Sequence, residues 1–312
     1  MTAIDPANAS PNKVGPGSGT PTGLAAKSAA NNAAPSREAP ISAAPISVVI
    51  PCFRCADTIG ASVASIAAQT RPVQQVLLVD DASGDGTVSA LQALAAQYPA
   101  GWIQVIESPA NGGPSRARNL GWAAATQPYI AFLDADDTWV AEKIAIQMAA
   151  LEADPGLALI AHRMAVRDRE LPLPPLRPPF KTTEIGRKRF LLNNPFPTAS
   201  VILRRDLPFR FNEDFRRVED FLLWAQIGFS GYRCAKINQV LAYWHKPTYG
   251  ASGLSGDLAA MHRAGREVRH ELLRQGLVTR SEHWFARGFG ILRRARRRLL
   301  LAMRSQHPRE AS

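Results

Sequence analysis

No stretch of this chain approaches the roughly 18 uninterrupted apolar residues that a membrane-spanning helix needs, so an integral membrane protein is not expected. Residues 1–44 lack a basic segment followed by an apolar core, which argues against a secretory signal. Cysteine is scarce. Cys52, Cys55 and Cys234 make no zinc pattern and cannot all pair internally. They read as free thiols of a reducing cytoplasm, in preference to a redox motif at the Cys52/Cys55 C-x-x-C spacing. Neither G-x-G-x-x-G nor G-x-x-x-x-G-K-[ST] occurs, so neither a dinucleotide-dependent dehydrogenase nor a P-loop NTPase fits. No internal repeat is evident.

What is present divides into three parts. Residues 1–44 are Ala, Pro, Ser, Asn, Gly and Thr with few large apolar side chains. Such a segment cannot bury enough surface to offset its ordering entropy and is expected to be disordered. Residues 45–250 carry an α/β pattern, and 251–312 are helical in period and rich in arginine. The net charge is +11, of which the stretch from His262 onward supplies +9, with thirteen arginines against Glu267, Glu271, Glu282 and Glu310. The basic surface therefore belongs to the tail, and the body is nearly balanced.

Within the body, Ile46–Pro51, Gln75–Val79, Ile103–Glu107 and Tyr129–Leu133 read as short buried strands. Helical patterns at 59–69, 88–97 and 116–125 alternate with them. The expected fold is a mostly parallel sheet covered by helices on both faces. Two of these strands end in carboxylates: Asp80-Asp81 after the second, and Asp134, Asp136 and Asp137 after the fourth. In a doubly wound sheet both ends lie along one carboxyl edge, where such folds bind ligands. Converging carboxylates repel unless a cation or a donor-rich ligand lies between them. As hard oxygen ligands they suit Mg²⁺ or Mn²⁺ bridging nucleotide phosphates. The alternative is a strand-to-helix turn in which Asp137 or Thr138 caps a helix starting near Trp139. Asn111-Gly112-Gly113-Pro114-Ser115 opens another helix. Its glycines would let the backbone approach a phosphate at a helix N-terminus, or would simply form a turn.

Val49-Ile50-Pro51, Ser65 to Thr70, Val79 to Thr87, Asn111-Gly112-Gly113, Ala117-Arg118-Asn119 and Phe132 to Asp137 come in that order. Together they resemble the family 2 glycosyltransferases of the GT-A fold, over about residues 46–250. The resemblance implies inverting transfer from a nucleotide-sugar donor, often a UDP-sugar, with Mg²⁺ or Mn²⁺. It implies that Pro51 starts the loop over the base with Phe53 near it, and that Asp80 or Asp81 binds base or ribose. It also implies that Arg118 approaches the donor, Asp134 binds ribose or sugar hydroxyls, and Asp136 holds the metal with Asp137 assisting. Arg54 departs from the asparagine usual in the family and takes no role.

Further on, Glu219-Asp220 is similar to the family's acidic pair before an acceptor-side helix. Asp220 is the expected general base, with Glu219 orienting. A pair complementing the helix dipole is the competing reading. Trp224 is a candidate to stack on an acceptor sugar, and equally a candidate core residue. Tyr243-Trp244-His245-Lys246 with Ser252 resembles the family's late histidine segment, in which His245 would touch metal or diphosphate. A structural histidine is the other possibility. Residues 284–303 place Phe285, Leu292, Ala295, Leu299 and Met303 near one helical face beside Arg293, Arg294, Arg296, Arg297 and Arg298. That suits an anionic membrane surface, and packing on the body or binding nucleic acid remain open. The expected setting is cytoplasmic, peripheral at the inner face of the membrane, with a glycan or lipid-linked acceptor. Nucleic acid is the least favoured partner.

Overall fold

The computed structural model describes residues 42–168, 173–245 and 258–305, and for 258, 259, 262 and 293–305 the backbone only. The segment expected to be disordered lies, up to residue 41, outside the described residues, as do Lys246 and Ser252. The chain runs β1 (Ala44–Cys52), α1 (Ile59–Ala67), β2 (Val73–Asp80), α2 (Thr87–Ala95), β3 (Ile103–Glu107), α3 (Gly113–Ala124), β4 (Tyr129–Phe132), β5 (Thr138–Trp139) and α4 (Lys143–Ala153). It continues with β6 (Leu157–Val166), β7 (Thr182–Glu184), α5 (Arg187–Leu192), a 3₁₀ turn at Thr198–Ser200, β8 (Ile202–Arg204), α6 (Glu219–Phe229) and β9 (Arg233–Trp244). Helices α7 (Leu258–Arg274) and α8 (Arg280–Ser305) close it.

The nine strands form one sheet in the order β3-β2-β1-β4-β8-β6-β9-β5, with β7 paired to β9. Strands β3, β2, β1 and β4 are mutually parallel. β8 runs antiparallel to both β4 and β6, and β9 is again parallel to β6. The mostly parallel sheet expected from the sequence is present, with β5, β7 and β8 reversed.

Both faces of the sheet are buried. Along the central strands alternate residues separate cleanly, as a period of two requires. Val49, Leu77, Val79 and Phe132 join one core with side chains of α3, α5, α6 and α7. Val48, Ile50, Val76, Leu78 and Ala131 join the other with α1, α2 and α4. Helix α3 lies close on the sheet because Gly121 leaves room: a Cβ there would collide with a Val49 methyl. That close approach sets the height of Arg118, one turn earlier on the same face.

One helix start differs from expectation. Trp139 does not begin a helix. It pairs with Ala242 across β5 and β9, its indole N–H donates to the Ala199 carbonyl (2.9 Å), and the helix begins at Lys143. Long-range pairing overrides the local capping signal here. The tail helix has its own start signal, Thr279-Arg280-Ser281-Glu282. The Thr279 N–H donates to the Glu282 carboxylate (2.8 Å) and the Glu282 N–H donates back to the Thr279 hydroxyl (3.2 Å), a reciprocal cap. Glu282 also binds Arg187 on α5 at 2.9 Å, so α8 is tied to the body. Among the described residues no helix is long and apolar enough to cross a membrane.

Candidate active site

The strand order reverses at β1. The chain builds β2 and β3 on one side of it and places β4 on the other, which makes the carboxyl ends of β1 and β4 the switch point where open α/β sheets hold ligands. A cavity of about 590 Å³ opens there. It is lined at and just after the end of β1 by Pro51, Phe53, Arg54 and Asp57, from α3 by Gly113 and Arg118, and after β4 by Asp134 and Asp136; Asp81 and Arg216 also line it. Among the described residues three non-glycine residues have a positive φ, and all flank this region: Arg54 (49°), Ala82 (53°) and Val218 (52°). Such backbone is costly, most of all for a β-branched valine, and clusters where function demands a fixed geometry.

The carboxylates play unequal parts. Asp80 is buried and accepts the Ser83 N–H (3.1 Å) and the Ser83 hydroxyl, closing the turn after β2. Asp81 accepts the Gly112 N–H (2.9 Å) and the Gly113 N–H (2.7 Å) on its two oxygens. The glycine amides expected to face a phosphate are thus turned to Asp81, which pins the start of α3 to the end of β2. Gly113 needs its φ of +80° for this. A carboxylate has further lone pairs, so Asp81, which also lines the cavity, can still accept from a ligand.

Arg118 is the centre of charge. Its side chain is only 6% exposed and donates to Asp134 (2.7 Å) with one nitrogen and to Glu219 (2.8 Å) with another. The guanidinium also lies over the Phe211 ring, 5.3 Å from its centroid. Burial pulls its pKa down, but Asp134 and Glu219 more than reverse this and hold it above its ordinary value. The chain Asp134–Arg118–Glu219 therefore connects the cavity to the first turn of α6. The next residue, Asp220, is half-buried. Burial pushes its carboxyl up and the charge of Glu219 adds to this. Asn194, Arg118 and the Phe221 N–H pull the other way, and the balance leaves it at about 6.

Phe53 is 48% exposed at the cavity, with Arg54 5.2 Å from its ring centroid. An accessible aromatic face beside cationic Arg54 and Arg216 suits a base and a diphosphate. From sequence, Arg54 was expected to take no role, and Arg216 carried no expectation. Only their position after β1 and before α6 brings them to one opening. Cys52 and Cys55 are both buried free thiols on the same wall, and Cys234 is buried elsewhere.

Of the expected site residues, Asp80, Gly112, Asp137, Glu219, Asp220, Trp224 and His245 do not line the cavity. Asp137 is buried, and its backbone carbonyl accepts the Ser62 hydroxyl (2.8 Å). His245 donates from Nδ1 to the Arg167 carbonyl (3.0 Å), which leaves Nε2 to accept the Thr138 hydroxyl (2.7 Å). That tautomer is the one a metal-binding histidine adopts, but its lone pair is directed at Thr138. Trp224 corrects the stacking expectation. It is fully buried, it packs against Phe132 and Phe211, and its indole N–H donates to the Phe196 carbonyl (3.2 Å). An indole with no exposed face cannot stack on an acceptor sugar, so Trp224 is core.

Among the described residues no group of three or more His, Cys, Asp and Glu side chains is arranged to hold a metal ion by itself. The cavity does offer Asp134 and Asp136, two residues apart in sequence. That fits a magnesium-like ion, which takes one or two carboxylates and completes its shell with substrate phosphates and water.

Comparison with known proteins agrees with this geometry. The family model for glycosyl transferase family 2 matches residues 47–210, more than half of the chain. The amylovoran biosynthesis glycosyltransferase AmsB of Erwinia amylovora is 27% identical over 219 residues, 68% of this chain and 73% of that protein. The UDP-Glc:alpha-D-GlcNAc-diphosphoundecaprenol beta-1,3-glucosyltransferase WfgD of Escherichia coli is 26% identical over 182 residues, 58% of this chain and 69% of that one. Among solved structures, S. aureus TarS 1-349 in complex with UDP-GlcNAc has a TM-score of 0.58 at 21% identity, covering 73% of this chain and 66% of that one. The mannosyltransferase PcManGT of Pyrobaculum calidifontis, in complex with GDP-Man and Mn²⁺, has a TM-score of 0.56 at 20% identity, covering 76% and 68%. These structural likenesses speak for the fold, which is GT-A. With the family model spanning both carboxylate-bearing strand ends, the chain belongs to glycosyl transferase family 2, and its α/β domain takes a sugar from a nucleotide-sugar donor.

Proposed function

We propose that this chain is an inverting, divalent-metal-dependent glycosyltransferase that moves a sugar from a nucleotide donor to an acceptor hydroxyl in bacterial surface-polysaccharide assembly. The observation that carries this reading is the bridge Asp134–Arg118–Glu219, which joins the donor cavity to the desolvated carboxyl of Asp220. In this reading Phe53 covers the nucleotide base and Asp81 accepts from base or ribose. Asp134, oriented by Arg118, accepts from ribose or sugar hydroxyls. Asp220 takes the proton of the acceptor hydroxyl as that oxygen forms its bond to the anomeric carbon and the bond to the nucleoside diphosphate breaks. Asp136, with Asp134 beside it, would hold the metal, which when bound offsets the charge of the leaving diphosphate. A UDP-sugar donor is favoured by analogy with WfgD, a UDP-Glc-dependent glucosyltransferase, and with UDP-GlcNAc-bound TarS, and a lipid-linked or glycan acceptor by analogy with the diphosphoundecaprenol acceptor of WfgD.

The donor half is tested by thermal shift with UDP, GDP, CDP and dTDP, each with and without Mn²⁺. A ligand that binds only the folded state adds about 2.7 kcal/mol at a hundredfold excess over its dissociation constant. One nucleotide is expected to raise Tm in a metal-dependent way, and Asp136→Ala is expected to abolish the metal-dependent part. No shift with any nucleotide would favour a chain that has the fold without catalysis.

The setting we infer is the inner face of the membrane. Helix α8 exposes Trp284, Phe285, Phe289, Ile291 and Leu292, while Ala286 on its other side is buried against the body. The sequence adds five arginines between 293 and 298, and each basic residue near an anionic surface contributes about 1 kcal/mol. Vesicles containing anionic lipid should float the protein, less so at high salt, and deletion of 280–312 should abolish this. Unchanged flotation and unchanged membrane fractionation in that deletion would remove the membrane reading.

A further inference from the structure

The Asp220 carboxylate is held by residues far from it in sequence. Asn194 donates from its side-chain amide to Asp220 Oδ2 at 2.9 Å, and the Thr198 hydroxyl donates to the same oxygen at 3.2 Å. The Phe221 N–H takes the other oxygen at 2.7 Å. Both side-chain donors come from the short segment between α5 and β8, and that segment is itself clamped. The Lys236 ammonium donates to the Pro195 carbonyl at 2.6 Å, and the Trp224 indole donates to the Phe196 carbonyl. Phe196 is fully buried and packs edge-on against Phe190. On the opposite side, Val218 enters α6 with its strained positive φ. An aspartate in a helix first turn needs none of this for capping, since its preference there is satisfied by the local backbone.

We propose that Asn194 and Thr198 are positioning residues for Asp220: they fix the direction of its carboxylate and stabilise its charged form for proton abstraction. The assignment rests on Asp220 being the base. The charged groups acting on that carboxylate are Glu219 on α6, which opposes ionisation, and Arg118 on α3, which favours it. The Lys236 ammonium on β9 is engaged by the Pro195 carbonyl. Hydrogen bonds to the charged form lower a carboxyl pKa, so removing one raises it. Trp224 gains a role the sequence did not suggest, since it holds the segment that holds the base.

The test is the pH profile of kcat/KM for Asn194→Ala, Asn194→Asp, Thr198→Val and Thr198→Ser, with Asp220→Asn measured in parallel. Loss of a donor in Asn194→Ala or Thr198→Val should move the acidic limb upward by about one pH unit. Asn194→Asp keeps the acceptor used by the Phe196 N–H (3.2 Å) but replaces the donor by a like charge, and should move the limb furthest. Thr198→Ser should restore the parent limb, and the donor KM should change little throughout. If Asn194→Ala does not fold, Thr198→Val reads the same oxygen. A loss of kcat with an unmoved limb in the folded variants overturns the positioning role while Asp220 stands. Turnover retained by Asp220→Asn removes the base assignment, and the positioning role with it.

Discussion

Asp220→Asn is expected to reduce kcat by about 10²- to 10⁴-fold, the usual contribution of a positioned general base, while leaving the fold intact. The substitution is nearly isosteric, but its NH₂ meets the Phe221 N–H, or else turns the Asn194 NH₂ onto the Phe196 N–H, so one hydrogen bond is lost at every pH. In the parent enzyme the carboxyl sits at about 6 because burial, then Glu219, disfavours its charge. Activity should therefore fall below about pH 6, where the base is protonated. Stability should follow the same group with a defined sign. The folded-state value is raised above the unfolded one of about 3.9, so the folded chain holds that proton more tightly. Its contribution is fully present below about pH 4 and is lost as pH rises through about 6. Asparagine does not ionise. Relative to the parent, Asp220→Asn should thus melt higher at pH 8 than it does at pH 4.5. Urea melts at the two pH values check this beside the rate, and full turnover in a well-folded Asp220→Asn would rule out the role.

Arg118→Leu is the change with the largest expected effect on stability. It removes the cation that bridges Asp134 and Glu219 and leaves Glu219, 11% exposed, with an uncompensated charge. Breaking a buried pair from one side typically costs about 3–5 kcal/mol. The value here should lie toward the lower end, because the Asp134 side chain is 35% exposed and water can reach it. Arg118→Lys should recover little. A single ammonium cannot reproduce a planar fork that donates from two separate nitrogens at 2.7 and 2.8 Å and lies over Phe211. Donor binding should weaken with stability, since Asp134 loses the group that orients it. Chemical denaturation and nucleotide titration of the two variants decide this. A loss below about 1 kcal/mol in Arg118→Leu would mean the bridge is solvated and incidental.

The two acidic strand ends, the glycine turn and the alternation of strands with helices were readable from local pattern. β3 spans Ile103–Glu107 as expected, and α3 begins at the glycine pair. Those features depend on neighbours in sequence: apolar runs of strand length, a proline stop after Ile50, a glycine able to adopt positive φ. The last strand was harder. β9 interrupts its apolar residues with Lys236, Asn238 and Gln239, and it is a strand because β6, β7 and β5 pair with it.

Local sequence settles which residue types arrive at the carboxyl edge of the sheet, and with them the family. Which side chains pair there depends on the packing of distant segments. Asp81 is claimed by glycine amides 31 and 32 residues on, Arg118 by a glutamate 101 residues away, and Asp220 by donors 26 and 22 residues before it. Trp224, ambiguous by type, was settled by burial. The reason is that a side chain's type and spacing specify the face it occupies, whereas its hydrogen-bond partners are chosen by how sheet and helices pack. A buried polar group must find a partner wherever that packing brings one within reach.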